Sequence, residues 1–254
     1  MPRLLAAALV AFATGALPAA AAPGVAAASD LKFALDEIAR TYARATGASV
    51  RLAYGSSGNF RRQIAEGAPF ELFLSADESY VLALAKDGRL VDEGTLYAVG
   101  RLVLFAPTGS PVDPDAGLAG LAALARAGGV ARLAIANPAH APYGRAAKEA
   151  LEHAGAWKFL EGRVVLGENV SQAAQFAASG NATAGLFAYS LTFAPAIAAR
   201  GRFALVPESA HAPLRQRMAL VKGAGEEARA FYRYLQEPAA RGVFSRYGFT
   251  LPGP

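Results

Sequence analysis

The chain reads as an α/β protein of two lobes, mostly parallel sheets flanked by helices, and three observations predict it. Short β-prone runs alternate with stretches of helical periodicity along most of the length. Two apolar segments, "RLVLFAP" from Arg101 and "GRFALVP" from Gly201, bracket the middle third and can carry the chain out of one lobe and back. A chain of roughly 230 residues after its leader is long enough for one large core or two modest ones.

The leader is the opening "MPRLLAAALVAFATGALPAAAA". It carries one early positive charge, Arg3, then an uncharged apolar run, then small residues ending near Ala22. That is the pattern of a cleaved secretory signal peptide over residues 1–22. A membrane anchor fits less well, because the run is short for a span and is broken at Gly15 and Pro18. No later segment is apolar for long enough to cross a bilayer, so a soluble, exported mature chain is expected.

Helical spacing of Leu31, Leu35, Ile38 and Tyr42 predicts a first helix that stops at Gly47. "SVRLAY" then predicts a strand, "GSSG" a turn, and "NFRRQIAEG" a helix closed by Gly67. "FELFLSA" reads as a strand and "ESYVLALAKDG" as the helix after it. Beyond "RLVLFAP" the rhythm continues. "RLAIAN", "RVVLGEN" and "TAGLFAY" are strands, and "PYGRAAKEALEHAG" and "VSQAAQFAASG" are the helices between them. Near the end "RMALVKG" is strand-like, and "EEARAFYRYLQEPAARGVFSRYGF" is helical with a break at Pro238. Residues 23–102 with 205–254 are therefore expected to form lobe 1 and residues 103–204 lobe 2, with a cleft between them.

Composition excludes several function classes. There is no Cys, so disulfide frameworks, thiolate metal sites, Cys nucleophiles and a lipidated amino-terminal Cys are ruled out. Without Arg3 the formal charge falls from +5 to +4. The basic residues are scattered rather than striped, which argues against a nucleic-acid surface and suits a small anionic ligand, although ordinary solubilising charge accounts for it equally. His140, His153 and His211 are isolated and form no zinc motif. "GSSGN" does not complete G-x-S-x-G, because Asn59 stands in the last glycine position, and the dipeptide Gly-Lys of a Walker loop never occurs.

Open α/β sheets bind ligands where strands hand over to helices, because helix amino termini present unpaired N–H groups and the positive end of a dipole. Four such switches stand out, around Ser29, Ser57, Tyr143 and Val170, two in each expected lobe. A ligand in the cleft would be met by N–H groups and hydroxyls, which suits an oxyanion with no proton to donate. Simpler roles compete at each position. The serines serve equally as helix caps, Tyr143 as packing beside a proline turn, and Val170 offers only its backbone. Arg61 and Arg62 are candidates for an anion clamp, but on an exposed helix face they read first as solvated charges.

Together "AAASDLKFALDEIA", "YGSSGNFRRQIAEGAPFELFLSADESYVLAL", "IANPAHAPYGRAAKEAL", "GENVSQAAQFAASGNATAGLFAY" and "FYRYLQEPAARGVFSRYGF" resemble, in order, the periplasmic molybdate-binding proteins of ABC importers. "GAPFELFLSAD" and the closing "RYGF" carry the resemblance most specifically. It implies a two-lobed periplasmic binding protein of the type II topology. Such a protein acts as a monomer, uses no cofactor, and delivers molybdate or tungstate to a membrane permease and its ATPase. It also implies that Ser29 and Ser57 supply hydroxyls, Tyr143 the third-loop contact and Val170 a backbone amide, with molybdenum held as its oxyanion and not by direct metal ligation. Some members add a tyrosine from the last strand; here Ala188 stands at that place with Tyr189 beside it, and the role is not carried over.

Asp30 departs from the family pattern. A carboxylate aimed at a dianion would repel it, so Asp30 is expected to lend its backbone N–H and turn its side chain outward to cap the following helix. An inward Asp30 would instead require a ligand bearing a proton or a hydroxyl. A phosphorylated or carboxylate metabolite is therefore the alternative cargo. A secreted serine hydrolase built on Ser57 is the remote alternative, because no base lies close in sequence.

Overall fold

The computed structural model describes residues 22–253. The signal-peptide reading of residues 1–22 therefore lies, except for Ala22, outside the described residues. Two five-stranded sheets carry the fold. The first takes β1 (Gly24–Ala28), β2 (Arg51–Gly55), β3 (Leu72–Ser75), β4 (Thr95–Gly100) and β10 (Leu214–Leu220), in the spatial order 2-1-3-10-4. The second takes β5 (Leu102–Pro107), β6 (Leu133–Ala136), β7 (Val164–Gly167), β8 (Ala184–Ala188) and β9 (Gly201–Leu205), in the order 7-6-8-5-9.

Both sheets are mixed in the same way. β1, β2 and β3 pair in parallel, as do β6, β7 and β8, while β10 in one sheet and β5 in the other join antiparallel to both of their neighbours. The alternating strand and helix pattern reported the parallel half. The antiparallel half belongs to strands at the two passages between the sheets. Only Arg101 separates β4 from β5, and residues 206–213 lead back from β9 to β10. Leu102 and Leu205, assigned to the first lobe from sequence, pair within the second sheet, Leu102 with Ala188 and Leu205 with Val103.

Helices α1 (Lys32–Thr46), α2 (Ser57–Ala65) and α3 (Glu78–Lys86) follow the first sheet's strands, and α4 (Gly117–Arg126), α5 (Pro142–His153), α6 (Trp157–Leu160), α7 (Val170–Ala178) and α8 (Pro195–Ala198) the second's. α9 (Glu226–Tyr234) and α10 (Pro238–Arg246) return to the first, with Pro238 in the first turn of α10, where a missing N–H costs nothing. α1 buries Leu35, Ile38 and Tyr42 on one face and ends at Gly47, whose φ of 73° closes the helix in the left-handed region.

The all-buried β1, "GVAAA", has no apolar alternation because both of its faces are covered. Val25 and Ala27 join the cluster of Leu35, Ile38, Phe231 and Phe244, while Ala26 joins Phe60, Ile64, Phe73 and Leu84. Small side chains on a central strand let helices approach from both sides. The core of the second lobe is continuous with Ala28 and Ala76 of the first, so apolar packing crosses the cleft.

The closing "RYGF" has a structural explanation. Gly248 has a φ of 78°, and a Cβ there would come within 2.5 Å of the Tyr189 ring, which also stacks against Phe193 at 5.0 Å and Phe203 at 5.7 Å. Tyr189 donates its N–H to the Arg101 carbonyl at 2.9 Å, so this contact braces the passage between the sheets. Gly248→Ala should cost about 1 to 2 kcal/mol from its backbone conformation alone, with the ring clash adding to it. Urea unfolding that gave equal midpoints for variant and parent would contradict this.

Candidate functional site

The amino ends of α2, α5 and α7 and the short 3-10 turn at Ser29–Leu31 converge on one small cavity. It is lined by Ser29, Asp30, Ser56, Ser57, Tyr143 and Val170, with Ala28, Gly55, Ala76, Ala141 and Pro142 completing the wall. The structure thus brings together all five residues singled out in the sequence. No Lys or Arg is among the lining residues; Arg61 is partly buried and Arg62 exposed, and neither reaches the cavity.

The two serines of "GSSG" divide two tasks. Ser56 is the N-cap of α2, its Oγ accepting the Asn59 N–H at 3.3 Å. That frees Ser57, the first helical residue, to face the cavity. Ser57 Oγ accepts the Ala76 N–H at 2.9 Å, and Ser29 Oγ accepts the Ser171 N–H at 3.2 Å. The Tyr143 hydroxyl in turn accepts from Gln216 Nε2 at 3.3 Å. In each hydroxyl an acceptor position on oxygen is already occupied by an N–H, and the O–H proton remains for donation. Val170 sits at the start of α7, where a first-turn N–H has no partner within the helix. Ala188 and Tyr189 do not line the cavity.

Asp30 corrects the expectation that its side chain turns outward. It is 1% exposed, makes no capping bond to α1, and its Oδ2 accepts from Gln216 Nε2 at 2.6 Å. The Gln216 Oε1 in turn accepts from the Tyr97 hydroxyl at 2.7 Å, so β4 and β10 anchor the group. Asp30 Oδ1 is buried and meets no partner in hydrogen-bonding geometry. Burial pushes the carboxyl from 3.8 up to about 6, against the pull of Gln216, Tyr143 and the N–H groups of Asp30 and Leu31. Burial, reinforced by the Asp30 charge, holds the hydroxyls of Tyr97 and Tyr143 well above their ordinary values, so both stay neutral donors.

His140, isolated in the sequence, gains partners from both lobes in the fold. Its Nδ1 lies 2.8 Å from Ser56 Oγ, its carbonyl accepts the Gly58 N–H at 2.9 Å, and its Nε2 lies 3.6 Å from Glu168, which also accepts from Asn59 Nδ2 at 2.6 Å. Ser171 Oγ donates to the Ser29 carbonyl at 2.7 Å, and Ser190 Oγ to the Asp30 carbonyl at 2.8 Å. Arg145 reaches back to Asp77 and to the Tyr80 hydroxyl. Apart from the His140–Glu168 contact, which lies within the second lobe, these bonds join residues of the first sheet's lobe to residues of the second's, and they hold the cleft shut over the cavity. Gly58 is required at this seam, because a Cβ would stand 2.5 Å from the His140 carbonyl oxygen.

Residues 24–250 match the family model of bacterial extracellular solute-binding proteins. The chain belongs to this family. Among its relatives, the molybdate-binding protein ModA of Rhodobacter capsulatus is 37% identical over 239 residues, 92% of this chain and 91% of the relative. ModA of Escherichia coli is 34% identical over 230 residues, 89% of this chain and 87% of the relative. The solved structure of the Azotobacter vinelandii periplasmic molybdate-binding protein superposes with a TM-score of 0.83 at 30% identity, covering 91% of this chain and all of that one. The two-lobed α/β fold of the solute-binding family is the one described above.

The buried carboxylate has a stability signature. Its folded value lies above the ordinary one, so folding binds a proton more readily, and the stabilisation is complete below pH 4 and lost as pH rises through about 6. The wild type should lose on the order of 3 kcal/mol between pH 4 and pH 7 from this group, and Asp30→Asn should not. Parallel stability profiles of the two proteins against pH would show the assignment to be wrong.

Proposed function

We propose that this solute-binding protein takes up molybdate or tungstate as the tetrahedral oxyanion in this cavity, and releases it to the permease and ATPase of an ABC importer. The observation that carries the reading is the set of three hydroxyls, each already accepting an N–H and left with a proton to give. They are gathered with helix amino ends from both lobes and with no cationic side chain. Ser29, Ser57 and Tyr143 donate hydroxyl protons, Val170 its amide, and Asp30 its backbone N–H. The three curated or solved relatives above, all named for molybdate binding, support the choice of cargo. The protein is exported to the periplasm with cleavage of the signal peptide over residues 1–22, and works there as a monomer without a cofactor.

Binding without turnover is part of the reading. Ser57 Oγ is engaged by Ala76, and the nearby imidazole of His140 contacts Ser56, whose oxygen caps α2, so no base is aimed at Ser57. The buried Asp30 favours a second reading, an anion that brings its own proton or hydroxyl, such as a phosphorylated or carboxylate metabolite.

Titration calorimetry of the anion-free mature chain against molybdate, tungstate, sulfate, phosphate and citrate separates these readings. Tight one-to-one binding of the first two is expected. Silence from them with heat from phosphate or citrate would replace the first reading with the second. Ser57→Ala should weaken molybdate binding about tenfold to a hundredfold, the value of a hydrogen bond to a charged group. It should also lose about 1 kcal/mol of stability, because the Ala76 N–H loses its acceptor. Gly58→Ala should weaken binding at least about tenfold by opposing closure at His140. Unchanged affinity in either folded variant would remove that residue from the site.

A further inference from the structure

We propose that the site binds its oxyanion together with one proton, shared between Asp30 Oδ1 and a ligand oxygen, so that Asp30 enters the binding reaction as a carboxylic acid. The inference rests on the oxyanion reading above and adds a stoichiometry to it.

Three features of the geometry support it. Asp30 lines the cavity beside Ser29, two residues beyond the end of β1, so a bound anion is its neighbour. Its two oxygens are unequal: Oδ2 is held by Gln216, whereas Oδ1 is buried without a partner. Among the described polar side chains that line the cavity, Oδ1 is the one left unpaired, and every other group offered there is a donor. A deprotonated Oδ1 facing a dianion would be an acceptor against an acceptor in a low-dielectric space. A single proton converts that contact into a hydrogen bond.

The surroundings supply no other compensation. The side chains that act on the carboxyl are Gln216 from β10 and Tyr143 from α5, and its own charge is felt by Tyr97 on β4. Both tyrosines are neutral, α7 carries no ionisable residue, and Ser190 from the turn after β8 meets only the Asp30 carbonyl. No Lys or Arg acts on the group. His140 and Glu168 lie at Ser56, on the rim. A carboxyl that burial in the closed structure pushes up to about 6 is shifted further up by an arriving dianion, so above pH 6 binding draws the proton from solvent. The sign follows directly. Affinity is flat below about pH 6 and falls about tenfold per pH unit above it, for as long as the bound-state value exceeds the pH. An amide at the same position would donate from nitrogen with no proton to gather.

The test is calorimetry of the mature chain with sodium molybdate at pH 8, in two buffers of widely different ionisation enthalpy. The difference in heat should correspond to uptake of close to one proton per ligand, falling to about a tenth at pH 5. Asp30→Asn should take up none and bind with nearly one affinity across the range, while any contribution from His140 would persist in it. Tight binding with the same heat in both buffers at pH 8 would overturn the inference and leave the oxyanion reading standing. Failure of molybdate to bind at pH 5 as well as at pH 8 would overturn both.

Discussion

The candidate site depends on hydroxyl oxygens being saturated as acceptors before any ligand arrives. A serine or tyrosine hydroxyl is ambivalent in water, able to give or take a hydrogen bond. Here Ser29, Ser57 and Tyr143 each have an N–H placed on the oxygen, from Ser171, Ala76 and Gln216. Saturation removes the ambivalence and fixes three protons as the free valences of the cavity. Two of the three supporting N–H groups come from the opposite lobe to the hydroxyl they serve, Ser171 to Ser29 and Gln216 to Tyr143, so the donor character of the pocket is complete only when the lobes meet. On the proposed reading, closure and recognition are one event, in which binding energy holds two packed bodies together.

This constraint explains the small residues at the seam. Gly58 meets the His140 carbonyl across the seam, while Gly144, inside the second lobe, lets the first turn of α5 sit against β6, where a Cβ would come within 2.2 Å of the Ala136 carbonyl. The alanines of β1, Ala76 and Ala141 keep the walls thin, so that helix amino ends approach from several directions. The hydrogen bonds across the cleft are mostly single and at least partly solvated, each worth about 1 kcal/mol net. Such a seam specifies register without locking the lobes, which leaves the ligand able to decide the balance.

Much of this was legible in the sequence because it is local. Strand-to-helix switches at Ser29, Ser57, Tyr143 and Val170 follow from periodicity and from the first-turn N–H groups every helix leaves open. The fold brought those four positions into one cavity. The passages between lobes were visible as "RLVLFAP" and "GRFALVP", which became β5 and β9. What escaped the sequence is set by distant partners. Asp30 is turned inward by Gln216, 186 residues away, and His140 acquires its role through Ser56, 84 residues away. Of β1 only the hand-over at Ser29 was readable, because a strand buried on both faces has no alternation, and the split of duties between Ser56 and Ser57 emerged only when the first helical residue was known.

Asp30 is the one place where local rules and the fold disagree. An acidic residue at the amino end of a helix ordinarily points to the N–H groups from outside, where solvent screens it. Here Tyr97, Tyr143 and Gln216 form a polar nook behind the cavity, and the carboxyl completes it. A site of donors alone would accept any anion small enough to enter, and it would hold a fully deprotonated one best. Adding one buried acceptor changes the question the site asks, from charge and size to charge, size and proton count. The cost is a carboxylate that the folded chain tolerates poorly when ionised, and a residue that strains the fold in this way belongs to the site more than to the core that surrounds it.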